Sequence, residues 1–466
     1  MLSIRVNLVL SIVFCILFIA LSADVYAYML MYNNLPSSIH GFVKNETACR
    51  IHSPYEFSKI KNILFVSKED ELYPAIRYKA GWRAYKLRLN KKKGKLVPEI
   101  GYKISGHAYY DAVFDITNTY TEKVGRDQED DIELRDTYLD CSIGNLDLRV
   151  GKQQIVWGEA VGLFFADVVN PKDLREFILP DLDQTRIPVW AADIEYYIGD
   201  NHIELVWIPI LEFNKTGVSG SEFEFYTPSA PGGALIHYES EKEPSNDLKN
   251  SECGIRLSRL MAGWDLSVFY FYGYDYFPTP FRTIGIDPST FQTTFTVKPE
   301  YKRLNIFALT FAKEAGDVIF KGEFVYNKGK YFQVNDLTDT DGVIKRDFLD
   351  YLIGADYTFF EKIDINVQFM QRIIFNCDDT MVADRIKTSF SIWLKTGFFD
   401  NTLEPEFFIV SSLKEKDLMF RPKISYKFED NWTAVFGIDV FEGEPDGEFG
   451  QFDTKDRSYI ELRYDF

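Results

Sequence analysis

From Gly41 to the last residue, wherever the chain is regular, hydrophobicity repeats every second position, and no other feature constrains the fold as much. Ile460, Leu462, Tyr464 and Phe466 alternate with Tyr459, Glu461, Arg463 and Asp465. Trp432, Ala434, Phe436, Ile438 and Val440 form one face of the preceding stretch, and Ile363, Ile365, Val367 and Phe369 oppose Asp364, Asn366 and Gln368. A period of two puts successive side chains on opposite faces of a strand. One apolar and one charged face per strand suit either a water-soluble sandwich or a membrane barrel.

Connection lengths separate these two folds. Short turns fall at 143–145, 199–201, 261–263, 315–317, 360–362, 399–401 and 429–431, most of them built from Gly, Asn and Asp as hairpins require. Between them lie longer polar connections at 117–130, 158–187, 210–250, 275–298, 329–346, 377–384, 411–417 and 442–454. Regular alternation of short and long connections is expected of an up-and-down antiparallel transmembrane β-barrel, with tight turns on one side and loops on the other. A Greek-key sandwich has no reason to alternate. Spacing predicts about 18 strands, within a range of about 16–20, at about 11 residues each.

Composition agrees. At 46% hydrophobic residues the chain is not a disordered acidic one, and its 40 Phe and 28 Tyr exceed what an ordinary soluble core needs. Trp264, Trp432, Tyr272, Tyr274, Tyr426 and Tyr464 fall near strand ends on apolar faces, where the interfacial girdles of a barrel belong. The net charge of −18 argues against a nucleic-acid partner, since no basic surplus exists to neutralise phosphates. Five cysteines with no CxxC pair exclude a zinc-ribbon or thioredoxin-type site and read as free small hydrophobes. The ending Tyr464-Asp465-Phe466 resembles the terminal signal read by the barrel-assembly machinery of the outer membrane. Residues 1–27 read as a cleaved secretory signal: Arg5, an apolar run Val6–Leu21, and small residues at Val25 and Ala27. Residues 28–466 then form a single barrel in the outer membrane of a Gram-negative bacterium, with outer-membrane lipid around it.

The most distinctive words lie between 145 and 209. Gly151, Lys152, Gln153, Trp157, Gly158 and Glu159, followed by Asn170, Pro171 and Asp173, resemble a family of large bacterial outer-membrane proteins, the domain of unknown function 1302 type. HGFVKNE, from His40, is similar to the family's first strand. The resemblance implies an outer-membrane barrel, a transport complex as a partner class, and no catalytic residue.

Read physically, 158–187 differs from the other loops. Asn170-Pro171 is a good helix start with Asp173 in the first turn, so a short helix is expected from Pro171 to about Ile178, ending before Pro180. The apolar residues Leu163, Phe164, Phe165, Leu174 and Phe177 would not be kept in a solvated loop. The segment is therefore expected to fold inward and constrict the lumen, with Lys172, Arg175, Glu176, Asp181, Asp183 and Arg186 pairing to wall charges. On the wall, acids gather at Asp193, Glu195 and Glu204. Bases gather at Lys387, Lys395, Arg421, Lys423 and Lys427, with Arg77, Lys79 and Arg83 added. Opposed rows would set a transverse field across the pore.

No GxSxG, HExxH or P-loop occurs, and the five histidines (His40, His52, His107, His202, His237) show no catalytic grouping. The acidic turn 335–342 places Asp339, Asp341 and Gly342 as a calcium loop would, but Leu337 and Phe348 occupy ligand positions. No enzyme, metal or cofactor is expected. A porin-like channel or transport component for a small or amphipathic solute is the leading expectation. A closed assembly barrel binding a protein partner is the alternative, and a barrel enzyme at the outer rim the least favoured.

Overall fold

In the computed structural model the first strand closes on the last. Ser38–Arg50 pairs antiparallel with Arg457–Asp465 on one side and with Phe57–Glu71 on the other. Gly41 and Phe466 exchange both backbone hydrogen bonds, each 3.0 Å. Eighteen antiparallel strands, each beside its neighbour in sequence, make one continuous sheet. Closure leaves no strand edge for lipid to desolvate, and an open edge there would cost several kcal/mol per unpaired group.

The structure describes residues 38–51, 56–71, 98–158, 160, 163–227, 235–289, 291–414 and 417–466. The signal segment 1–27, Arg77, Lys79, Arg83, His52 and Glu159 lie outside them.

All seven expected short turns close hairpins at one end of the barrel, with register partners such as Ile143 and Leu146, Ala315 and Val318, and Glu429 and Trp432. The alternating faces separate as their chemistry demands. Ile460 is 61% exposed and Leu462 42% on the outer face, whereas Tyr459 between them is 9% exposed and points inward. Trp264, Tyr426 and Trp432 sit at the short-turn end, Trp432 against Tyr464 with ring centroids 4.9 Å apart. Tyr274 departs from the expected girdle. It is buried beneath the loops against Phe213, with the guanidinium of Arg303 3.9 Å over its ring. The four described cysteines are free.

The long connections carry short helices at Val113–Ile116 and Glu122–Gln128 and a small sheet of Leu235–Tyr238, Thr293–Glu300 and Thr279–Ile286. The helix expected over Pro171–Ile178 does not form. Asp173–Leu174 instead pairs in parallel with Lys215–Thr216, and the helical turn of this segment is Leu182–Thr185. The reason is that the Asn170 side chain caps no helix. Its Oδ1 accepts from the Ile155 amide at 2.7 Å, and its Nδ2 donates to the Ile187 carbonyl at 2.8 Å.

Candidate functional site

The residues around 151–170 turn the chain into the barrel. Gly151 has φ +143° at the end of its strand, and a Cβ there would lie 2.3 Å from the Thr137 carbonyl oxygen, so only glycine fits. Gln153 is buried and donates from Nε2 to the Ala191 carbonyl at 3.1 Å. Trp157 is fully buried, donates its indole N–H to Glu204 Oε1 at 2.7 Å, and packs against Phe269 with centroids 4.8 Å apart. Opposite it is Gly254, where a Cβ would come within 2.5 Å of the indole. Gly158 lets the backbone pass Glu323, whose Oε1 would lie 3.2 Å from a Cβ at that position. Asn170 then ties both limbs of the segment together through Ile155 and Ile187.

Beyond these anchors the segment crosses the interior. The Glu323 carboxylate accepts the backbone N–H groups of Ala160, Phe165 and Ala166 at 3.0, 2.7 and 2.8 Å. Across the barrel, Lys59 and Lys61 both pair with Glu176. Glu323 stands on the eleventh barrel strand, Val318–Gln333, and Lys59 and Lys61 on the second, Phe57–Glu71, so the tethers lie on opposite walls. Burial alone would raise the Glu176 carboxyl, but the two ammonium groups hold it well below the usual carboxylate range. Arg421 pairs with Asp439 at 2.8 Å and donates to the carbonyls of Ile178 and Leu179 at 3.3 and 2.9 Å. Arg135 donates to the carbonyls of Asp183 and Arg186, each at 2.6 Å. Phe177, at φ 55°, plugs into an aromatic cluster with Phe452 at 4.8 Å, Phe449 at 6.0 Å and Phe441 at 6.2 Å.

Crossing in this way, the segment borders several cavities, two of which are unlike in lining. The smaller, about 90 Å³, is lined by charged groups including Lys44, Glu46, Lys59, Lys61, Glu176 and Arg457. The larger, about 910 Å³, has aromatic wall residues such as Trp393 and Phe408 together with ionic groups.

The expected site residues divide between these surroundings. Lys172 and Arg186 line the large cavity and both reach Asp167, at 3.6 and 2.8 Å, within the segment itself. Arg175 lines the small cavity, held by Asp173 at 2.6 Å and by Asp131 at 3.5 Å. Asp181 and Asp183 line the large cavity, as do Arg421 and Lys423. Lys427 lines neither cavity and is exposed near the short-turn end. Asp193 is buried in the wall beside Arg149 in register, and Glu195 accepts from the Tyr197 hydroxyl at 2.6 Å beside His202.

The transverse field expected from opposed rows does not survive these contacts. Lys395 faces Glu404 at 3.1 Å, Lys423 faces Glu406 at 3.2 Å, and Lys387 faces Glu448 at 2.7 Å. Neighbouring strands and one loop supply the acids, so every described base of this row except Lys427 has an acid within reach.

The long connection expected at 442–454 is present, but its contact with the segment 158–187 is not foreseen from the sequence. Its Phe449 and Gly450 amides donate to the Asp417 carboxylate at 3.0 and 2.6 Å, which seats Phe449 and Phe452 against Phe177. The closely spaced Phe and Gly residues of EFGQF were the available signal. Of the histidines, His202 stacks on Tyr197 at 4.6 Å, and His107 lies in the wall 3.7 Å from Glu133. In 335–342 the Asp339 carboxylate accepts the amides of Asp341 and Gly342, an ordinary acidic turn.

A closed 18-stranded barrel with an apolar outer belt and an ionic interior has the fold of bacterial outer-membrane porins. The chain belongs to the family described as protein of unknown function (DUF1302), whose profile matches residues 84–383. No curated protein matches it. Among solved structures it is similar to Acinetobacter baumannii OccAB4, at 10% identity and TM-score 0.51, covering 92% of this chain and 98% of that one. A. baumannii OccAB1 is similar at 8% identity and TM-score 0.51, covering 92% and 96%. Pseudomonas aeruginosa OccK9 (OpdG) is similar at 7% identity and TM-score 0.50, covering 92% and 98%.

Proposed function

We propose that the protein is a porin-like channel or transport component of the Gram-negative outer membrane for a small or amphipathic solute. In this reading residues 1–27 direct export, the assembly machinery reads Tyr464 and Phe466, and a transport complex is a further partner. The segment 158–187 constricts the lumen and leaves the 910 Å³ chamber beside it as the path. One observation carries the reading: the segment is tethered at once to Glu323 and to Lys59 and Lys61 on opposed walls, so a solute must pass beside it. No catalytic step is proposed.

The test is conductance of the reconstituted barrel in a planar bilayer, for the parent and for a variant whose Pro171–Ile178 is replaced by a Gly/Ser linker. Discrete openings in the parent that grow in the variant are the expected result. Silence in both sinks the channel. A second reading, a closed barrel that binds a protein through its outer loops, is favoured by Ile286 and Phe291, 70% and 84% exposed in and beside the small outer sheet. It predicts that same silence.

A further inference from the structure

We propose that the large chamber selects amphipathic organic cations, an aromatic or alkyl body bearing an ammonium head. This deepens the channel reading above and rests on it.

The first observation is the apolar lining. A porin lumen is ordinarily polar. Here Trp393 and Phe408 stand directly opposite each other on adjacent strands, both facing the chamber. Phe225, Tyr276 and Phe277 come from the loops to line it as well. Aromatic faces over a water-filled path cost free energy unless something apolar passes, and they also attract cations through the ring quadrupole.

The second observation is the sign of the charge left over. Lys423, Arg372 and Arg421 are taken by Glu406, Asp350 and Asp439 at 3.2, 2.7 and 2.8 Å. Lys330 is taken by Asp275, and Lys172 and Arg186 by Asp167. Each basic side chain lining the chamber thus has an acid in reach. Asp181 and Asp183 do not have a base: among the described residues neither carboxylate makes an ion pair or a side-chain hydrogen bond, and both are exposed. Asp181 feels Lys44 only at longer range.

The unpaired carboxylates of Asp181 and Asp183 and the open aromatic faces in one chamber suit a cation with an apolar body. An anion with the same apolar body would meet only bases that already have an acid in reach.

The experiment uses the full barrel in lipid nanodiscs and three probes that share a benzene ring and differ in charge: benzyltrimethylammonium, benzenesulfonate and benzyl alcohol, followed by calorimetry. The ammonium probe should bind about tenfold tighter than the sulfonate, the scale of one or two partly screened charge contacts. An Asp181→Asn/Asp183→Asn double variant, altered only at exposed positions, should lose that preference and keep its weak affinity for benzyl alcohol. Phe408→Ala should weaken the ammonium and the alcohol together. Equal or tighter sulfonate binding overturns the proposal, and so does an ammonium preference that persists in the double Asn variant. Conductance of the same preparations keeps the two readings apart. A conducting barrel without cation preference overturns the selectivity and spares the channel, whereas a silent parent and linker variant overturn the channel.

Discussion

The two sides of the segment 158–187 are built on different principles. Toward Lys59 and Lys61 it closes a cavity of about 90 Å³ with a charge network: Glu176 to two lysines, Lys59 on to Glu46, and Arg457 bridging Glu46 and Asp439. Toward Trp393 and Phe408 it borders about 910 Å³ in which each base has an acid in reach, Asp181 and Asp183 stay without a base, and aromatic faces stay open. A buried charge network with one member removed leaves an uncompensated charge, which is strongly destabilising, whereas a local pair on a hydrated wall is worth little. In the proposed function, holding the segment and passing a solute thus fall to opposite faces of one stretch of chain.

Merging the two sides should have the largest effect. Replacing Pro171–Ile178 with a Gly/Ser linker removes Glu176, Leu174 and Phe177 at once, and the open current should rise several-fold. The barrel should remain heat-modifiable on gels, because its strands close through backbone hydrogen bonds. Unchanged conductance would make the segment an outer loop.

Cutting single tethers sharpens the contrast. Glu323→Ala leaves the amides of Ala160, Phe165 and Ala166 without their acceptor, and at about 1–3 kcal/mol per unsatisfied buried group the segment should become accessible to protease. Glu176→Gln should cost the tethered side about 3 kcal/mol, since Lys59 and Lys61 lose their shared counter-charge. Urea titration of the barrel in lipid reads that loss, and a change below about 1 kcal/mol would mean that the network is not a tether.

Acid offers a milder probe of the same side. The Glu176 carboxyl is held low in the docked segment and returns to about 4.3 once released. Its stabilisation is therefore full above that value and is lost as pH falls through the lowered one. Conductance should be flat from neutral pH to about 4 and rise only below it, and the acid step should vanish in Glu176→Gln. A rise near neutrality would assign the gate to another group. The smallest effect belongs to the open side: Phe408→Ala, on a half-buried wall residue, should shift barrel stability by about 1 kcal/mol or less while changing solute block.

The sequence was readable wherever the information is local. Period two identifies strands and assigns Ile460 and Leu462 to lipid and Tyr459 to the lumen, because a half-buried strand must alternate. The turns at 143–145 or 429–431 carry their own chemistry, and the words from Gly151 to Asn170 mark where the chain leaves the wall. The inward course proposed for 158–187 follows from its apolar content, and its contacts, Phe165 to Glu323 and Glu176 to Lys61, are what support that proposal.

What the chain alone could not yield depends on which strands stand opposite one another. Asn170-Pro171 has the local form of a helix start, but a buried carboxamide does better joining Ile155 to Ile187 than capping a turn, and only the folded barrel brings those groups within 3 Å. Lys387, Lys395, Arg421 and Lys423 look like a free basic row until register and loop packing set Glu448, Glu404, Asp439 and Glu406 beside them. Phe177 meets Phe449 and Phe452 from more than 270 residues away. Periodicity and turn chemistry act over a few residues and so determine strands, faces and hairpins. Charge pairing and cavity shape act across a closed ring, and tertiary structure alone decided that one side of the segment is held by a charge network and the other borders a large chamber.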